Sequence, residues 1–195
     1  MAQIDYYFTP LSPFTYLAGL RLEEVAKARG AEIAYKPFNL AVLGKETGFT
    51  PPPQRHPSRQ AYRLQELTRI AAELDLPINL QPAHWPTNPV PASVAIIAAV
   101  EAGGGDVGML VHGLMGACWA EEKDIAEDAV LAACLEAAGF DGKLAGQGML
   151  SGVETLERYT NEALEAGVFG SPTYVVGEAV FWGQDRIDAL DRHLA

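Results

Sequence analysis

Two kinds of apolar pattern alternate along the first forty residues. Residues 4–9 (Ile-Asp-Tyr-Tyr-Phe-Thr) are β-branched and aromatic and read as a strand. Residues 13–29 place Leu17, Leu20 and Val25 on a helix that Gly30 ends. A second strand is expected over residues 31–38. One amphipathic helix between two strands is the connection a parallel βαβ unit requires. Pro51-Pro52-Pro53 then marks an extended loop, since proline can neither continue a helix nor pair in a central strand.

From Ser58 to about Leu150 the pattern is helical. Ser58 is placed to cap residues 59–74, whose Leu64, Leu67, Ala71 and Leu74 share a face. Helices are expected over 92–102 and 107–120. Asp124-Ile125-Ala126-Glu127 and Ser151-Gly152-Val153-Glu154 have capping-box spacing and predict helices ending near Gly139 and Gly167. Residues 173–176 and 178–182 read as strands joined tightly at Gly177, and 184–194 as a terminal helix. The order βαβ, helices, ββα predicts an α/β core, residues 1–40 and 168–195, with an all-helical domain, 41–167, inserted between its halves.

Composition narrows what such a protein can do. Of 195 residues 49% are hydrophobic, enough for a full core. A net charge of −11 argues against nucleic acid and anionic membranes, which select basic surfaces. No basic segment followed by an apolar run opens the chain, and Asp106, Glu121 and Glu122 interrupt its most apolar stretch. A cytoplasmic protein without membrane partners is expected. Cys118 and Cys134 form no C-x-x-C pair and sit on apolar helical stretches, as core cysteines do. His56, His84, His112 and His193 lack ligand spacing, so no metal is expected. The stretch 103–108 fits G-x-G-x-x-G, but it follows a helix rather than a strand and reads as a helix stop.

Chemistry concentrates at two prolines. Ser12-Pro13 falls where the first strand meets the first helix, with Ser12 as N-cap and Pro13 at the first helical position. Capping alone would explain that pair. Ser171-Pro172 immediately precedes a strand, a place suited to a cis peptide bond, although a trans proline starting the strand fits as well. A helix start offers unpaired N–H donors to an anion, and a thiolate beside it is stabilised. The Ser12 hydroxyl suits a hydrogen-bond donor better than a nucleophile, because no G-x-S-x-G elbow or evident base accompanies it.

These residues, together with Leu11 to Ala18, Trp119 to Ile125, Thr160-Asn161-Glu162-Ala163, Gly167 to Thr173 and Phe181 to Arg186, resemble the 2-hydroxychromene-2-carboxylate isomerases. That family is related to kappa-class glutathione transferases within the DsbA-like thioredoxin superfamily. The resemblance runs over essentially the whole chain. It implies a thioredoxin-like βαβ–ββα core, glutathione as cofactor, an aromatic acid as substrate and a homodimer. It also implies that Ser12 activates the glutathione thiol and that Ser171, before Pro172, binds the tripeptide backbone. Gln184 and Asp185 match the positions that receive its γ-glutamyl end, although an acid in a first helical turn also suits the helix dipole. In the superfamily's redox members a cysteine occupies the place of Ser12; here neither position 12 nor Thr15 carries sulfur.

One position departs from the family. Where Thr-Gly-Asn-x-Pro-Pro is common, this chain reads Thr47-Gly48-Phe49-Thr50-Pro51-Pro52, with Phe49 in place of the amide. Trp85-Pro86-Thr87-Asn88 resembles the family's aromatic-Pro-x-Asn turn, which makes Asn88 either a pocket residue or a turn asparagine. Phe14, Phe49 and Trp85 are candidates to line the aromatic half of a pocket, as is Trp182. Arg55, Arg59, Lys36 and Arg186 are all candidates for a substrate carboxylate, and the sequence does not choose among them. A glutathione transferase with another electrophile and a non-catalytic thiol-binding module remain as alternatives.

Overall fold

The computed structural model describes residues 1–195. Its elements are β1 (Gln3–Phe8), α1 (Pro13–Tyr16), α2 (Arg21–Arg29), β2 (Glu32–Pro37), α3 (Leu40–Thr47), α4 (Pro57–Glu73), α5 (Val90–Ala102), α6 (Val107–Trp119), α7 (Asp128–Ala137), α8 (Met149–Glu165), β3 (Thr173–Val176), β4 (Ala179–Trp182) and α9 (Ile187–His193). The four-stranded sheet has the order β2-β1-β3-β4. β1 pairs parallel with β2, and β3 pairs antiparallel with both β1 and β4. This is the expected βαβ–ββα core with its helices entering between β2 and β3. The insertion has no core to itself: Ile4, Phe8 and Tyr174 of the sheet and Leu110, Leu114 and Leu135 of the helices belong to one apolar cluster.

Several local expectations give way to tertiary geometry. The first helix does not run from Pro13 to Arg29 but breaks between Tyr16 and Arg21, with Gly19 at φ +60 in the break. Arg21 repairs the break: its Nε donates to the Ala18 carbonyl (3.1 Å) and its Nη2 to that of Leu17 (3.0 Å). Neither capping box forms. Asp124 Oδ1 instead accepts from Ala126 N (3.0 Å) and the Thr87 hydroxyl (2.7 Å), closing a turn before α7. Ser151 lies inside α8, its hydroxyl bonded back to the Gly148 carbonyl. His56, not Ser58, caps α4. Helix α3 has no counterpart in the sequence reading. Asn39 caps it through Oδ1, and Leu43 anchors it as a buried residue. The 103–108 stretch joins α5 to α6 with no strand before it, and Asp106 caps α6. The terminal helix opens as a 3-10 turn, Gln184–Arg186, before α9.

One charged group lies against the core. Glu23 Oε1 accepts from the Tyr35 hydroxyl (2.9 Å), while Oε2 is buried without a partner. Burial raises this carboxyl above its ordinary range, and the Tyr35 bond only partly opposes the effect. The folded protein therefore binds this proton more tightly than the unfolded chain. Glu23's contribution to stability is fullest below the ordinary carboxylate pKa and is lost as pH rises through the raised value. Glu23→Gln keeps the acceptor and removes the charge. It is expected to gain about 1 kcal/mol at neutral pH, an advantage that vanishes toward pH ~4. Thermal melts across that range check this; a pH-independent loss of stability would contradict it.

Candidate active site

β1 ends at Phe8, and the chain turns through Thr9 to Leu11 so that Ser12 stands at the start of α1. Pro13 is the first helical residue because its missing N–H is one the helix would leave unpaired there. Ser12 Oγ accepts from Thr15 N at 3.3 Å, the expected cap. It also donates to the Ser171 carbonyl at 3.1 Å, across 159 residues of sequence. The Ser171–Pro172 bond is cis. Ser171 Oγ accepts from Thr9 N (2.9 Å) and shares a hydrogen bond with Thr15 Oγ1 (2.8 Å). Gly183 N donates to the Pro172 carbonyl (2.9 Å), fastening the loop on its other side.

This network fixes two backbone segments against each other. Ser12 is buried, 8% exposed, and its hydroxyl is hydrogen-bonded to Thr15 N and the Ser171 carbonyl. The Ser171 N–H has no protein acceptor and is available to a peptide-like ligand. α1 is a single turn of four residues, so it lacks the macrodipole of the longer helix expected from the sequence. An anion placed here would be met by local donors instead, chiefly the Ser12 hydroxyl.

A second polar cluster sits at the end of β4. Gln184 is buried, and its Oε1 accepts from Arg21 Nη2 (2.5 Å), which also reaches the Gln184 carbonyl (3.3 Å). Its side chain therefore orders the turn. Asp185 is exposed and bonded to Arg186 (2.8 Å). Arg21, Gln184 and Asp185 line a cleft of about 170 Å³ together with Glu73, Asp188, Ile70 and Leu74. One guanidinium among three carboxylates suits a zwitterion carrying an ammonium and a carboxylate.

The aromatic candidates divide. Trp85 belongs to this neighbourhood: its Nε1 donates to the Leu11 carbonyl (3.1 Å), beside Ser12, and the Trp85–Pro86 bond is also cis. Phe14 is half-buried against the main apolar cluster. Phe49 packs on Gly44 of α3 and carries Arg55 over its ring at 5.2 Å. Asn88 Oδ1 accepts from Val90 N (3.1 Å), which starts α5, so the side chain serves that turn. Trp182 lies on β4, 52% exposed, against Phe169.

Comparison with known proteins agrees with this architecture. The DSBA-like thioredoxin domain matches residues 3–195. The chain is 30% identical to a 2-hydroxychromene-2-carboxylate isomerase of Sphingobium xenophagum, over 98% of this chain and 97% of the other. The chain belongs to this isomerase family of DsbA-like thioredoxin proteins. A solved 2-hydroxychromene-2-carboxylate isomerase superposes with a TM-score of 0.79 at 26% identity, covering 98% of this chain and 94% of that one. A kappa-class glutathione transferase of Caenorhabditis elegans is 32% identical over 42% of this chain and 36% of its own length.

Within the isomerase family's fold, three residues join the site that sequence reasoning missed. Thr15 links α1 to Ser171 through hydroxyls, a role its place three residues after Ser12 could have suggested. Arg21 was hidden because the helix was read as unbroken. Arg63 stacks over Trp85 at 5.5 Å, and no sequence signal joins α4 to that distant turn. Lys36 is occupied by Asp5 (3.3 Å) and Glu162 (2.9 Å), and Arg186 by Asp185. Cys118 is buried in the core and its thiol pushed up to about 12 by desolvation, so it is inert at neutral pH. No helix is long and apolar enough to cross a membrane, and no cluster of three or more His, Cys, Asp or Glu has the arrangement of a metal site.

Proposed function

We propose that the protein is a glutathione-dependent isomerase interconverting 2-hydroxychromene-2-carboxylate, or a related aromatic acid, with trans-o-hydroxybenzylidenepyruvate. The observation that carries this reading is the Ser12 to Ser171 bridge at the cis-proline loop, in a site with no sulfur at positions 12 or 15. The residues present fit glutathione. The free Ser171 N–H and its carbonyl match the extended backbone of a tripeptide, and the Arg21, Asp185 and Glu73 cleft matches its γ-glutamyl zwitterion. When bound, glutathione supplies a thiolate able to add reversibly to a conjugated double bond, which permits rotation before elimination.

The chain's own residues account for the rest. The Ser12 hydroxyl, which donates to the Ser171 carbonyl, would be the group to hold a bound thiol as its anion, by a charge-assisted hydrogen bond. The Ser171 carbonyl can then accept from the ligand backbone. Thr15 and Thr9 keep the Ser171 loop in place. Trp85, fixed to Leu11, forms a flat wall beside the thiol position and orients an aromatic ring by contact.

Calorimetry with glutathione and an ultraviolet assay of isomerisation test the proposal together. Binding with glutathione-dependent isomerisation supports it. Thiol transfer to generic electrophiles without isomerisation would favour a kappa-like transferase, a reading to which the apolar Phe49 and the kappa-class relative lend some weight. Absence of glutathione binding at millimolar concentration would leave a non-catalytic module. The free thiols suit the cytoplasm, and a homodimer is the family's implied assembly, open to light scattering.

A further inference from the structure

The chain has 25 acidic and 14 basic residues, yet three half-buried arginines have no acidic partner within 4.0 Å; Arg21 bonds to oxygens of Leu17, Ala18 and Gln184, which leaves Arg55 and Arg63. The Arg63 guanidinium lies over the Trp85 ring at 5.5 Å and makes no hydrogen bond within the protein. The Arg55 guanidinium lies over the Phe49 ring at 5.2 Å, and its one hydrogen bond, from Nε to the Thr50 carbonyl (2.7 Å), leaves the terminal nitrogens unused. Arg59, between them in sequence, is exposed. Burial lowers the pKa of both guanidiniums, and Arg55 acts on Arg63 as a like charge. Partly desolvated cations without an acidic partner cost free energy until an anion joins them. Their donors suit bidentate capture of a carboxylate, and each is backed by an aromatic face. Trp85 ties the pair to the chemistry, because its Nε1 is fixed to the carbonyl of the residue before Ser12.

We propose that Arg63, assisted by Arg55, is the carboxylate subsite for the aromatic acid and sets the preference for acidic over neutral substrates. This rests on the proposed function for the identity of the ligand. Of the four basic candidates the sequence offered, Lys36 and Arg186 are neutralised by their own acids, and Arg63 was not among them. Glutathione also carries carboxylates. The aromatic acid is preferred because both unpaired cations lie on aromatic rings, where a planar arene with an adjacent carboxylate can use cation and ring face together.

The test uses trans-cinnamate and its neutral analogue cinnamamide as probes, followed by tryptophan fluorescence, with glutathione affinity measured in parallel by calorimetry. The wild-type protein is expected to bind cinnamate more tightly than cinnamamide. Arg63→Met should weaken cinnamate about 10- to 100-fold while leaving cinnamamide and glutathione unchanged. Arg63→Lys, which keeps charge but not the fork, should fall between, and guards against a folding defect in the methionine variant. Unchanged cinnamate affinity in Arg63→Met and in the Arg55→Met/Arg63→Met double variant would overturn the proposal. So would a loss confined to glutathione, which would reassign the pair to the tripeptide. If cinnamate binding depends on Arg63 but no isomerisation is found, the functional reading falls and the carboxylate subsite stands.

Discussion

Ser12→Ala is expected to lower kcat about 100-fold, the scale of removing one donor from a developing or resident anion. The variant loses the hydroxyl that donates from the start of α1 to the Ser171 carbonyl, leaving the Thr15 to Ser171 hydroxyl contact as the remaining side-chain bridge to the cis-proline loop. A bound thiol should then titrate at higher pH, because its anion has lost a hydrogen bond. The deficit is therefore expected to be greatest at low pH and to shrink as alkaline pH ionises the thiol without help. KM for the aromatic acid should move little, since Trp85 and the arginines are untouched. Loss of the cap to Thr15 N should itself cost about 1 kcal/mol of stability, so circular dichroism must show the variant folded at the assay temperature. A pH–rate profile and kcat indistinguishable from the wild type would remove Ser12 from the mechanism.

Gly152→Val is expected to be strongly destabilising although it lies away from the site. A Cβ at Gly152 would lie 2.6 Å from Val94 Cγ1 and 3.1 Å from Cγ2, so α8 approaches α5 only because no side chain intervenes. Val94 is 1% exposed and has nowhere to move. Overpacking of this kind costs about 3 kcal/mol, or roughly 6–12 °C in Tm for a chain of this size. Val94→Ala in the same protein should recover part of the loss, as contacting residues couple. Gly113 provides the opposite case on α6: a Cβ there meets nothing within 4 Å, so Gly113→Ala should gain up to about 1 kcal/mol from helix propensity alone. Equal responses at the two glycines would show that backbone preference, not packing, governs both.

Gly152 also illustrates why the sequence reading failed where it did. Ser151-Gly152-Val153-Glu154 has the spacing of a capping box, and local spacing cannot reveal that the glycine is required by a helix almost sixty residues earlier. Asp124 misled in the same way: its oxygen is taken by Ala126 N and by Thr87. The break after Tyr16 was invisible because Leu17 and Leu20 continue a helical pattern, while the carbonyl repair comes from a side chain, Arg21. Signals carried by one residue's own chemistry fared better. Pro13 at a first helical position, Gly30 in the left-handed C-cap (φ 62) and Gly177 (φ 58) between β3 and β4 all stand where they were expected.

Local sequence set the strands at both ends of the chain, the Ser12-Pro13 joint, the proline before β3 and the lack of any sulfur at positions 12 and 15. These are local choices, fixed by which residues can cap, turn or pair. Only the tertiary structure decided that the Ser12 hydroxyl donates to the Ser171 carbonyl, that Gln184 is held by Arg21, and that Arg63 lies on Trp85. Each of those joins residues far apart in the chain, through distances that no local pattern encodes. The cap was legible from four residues; its partner required the whole fold to close around it.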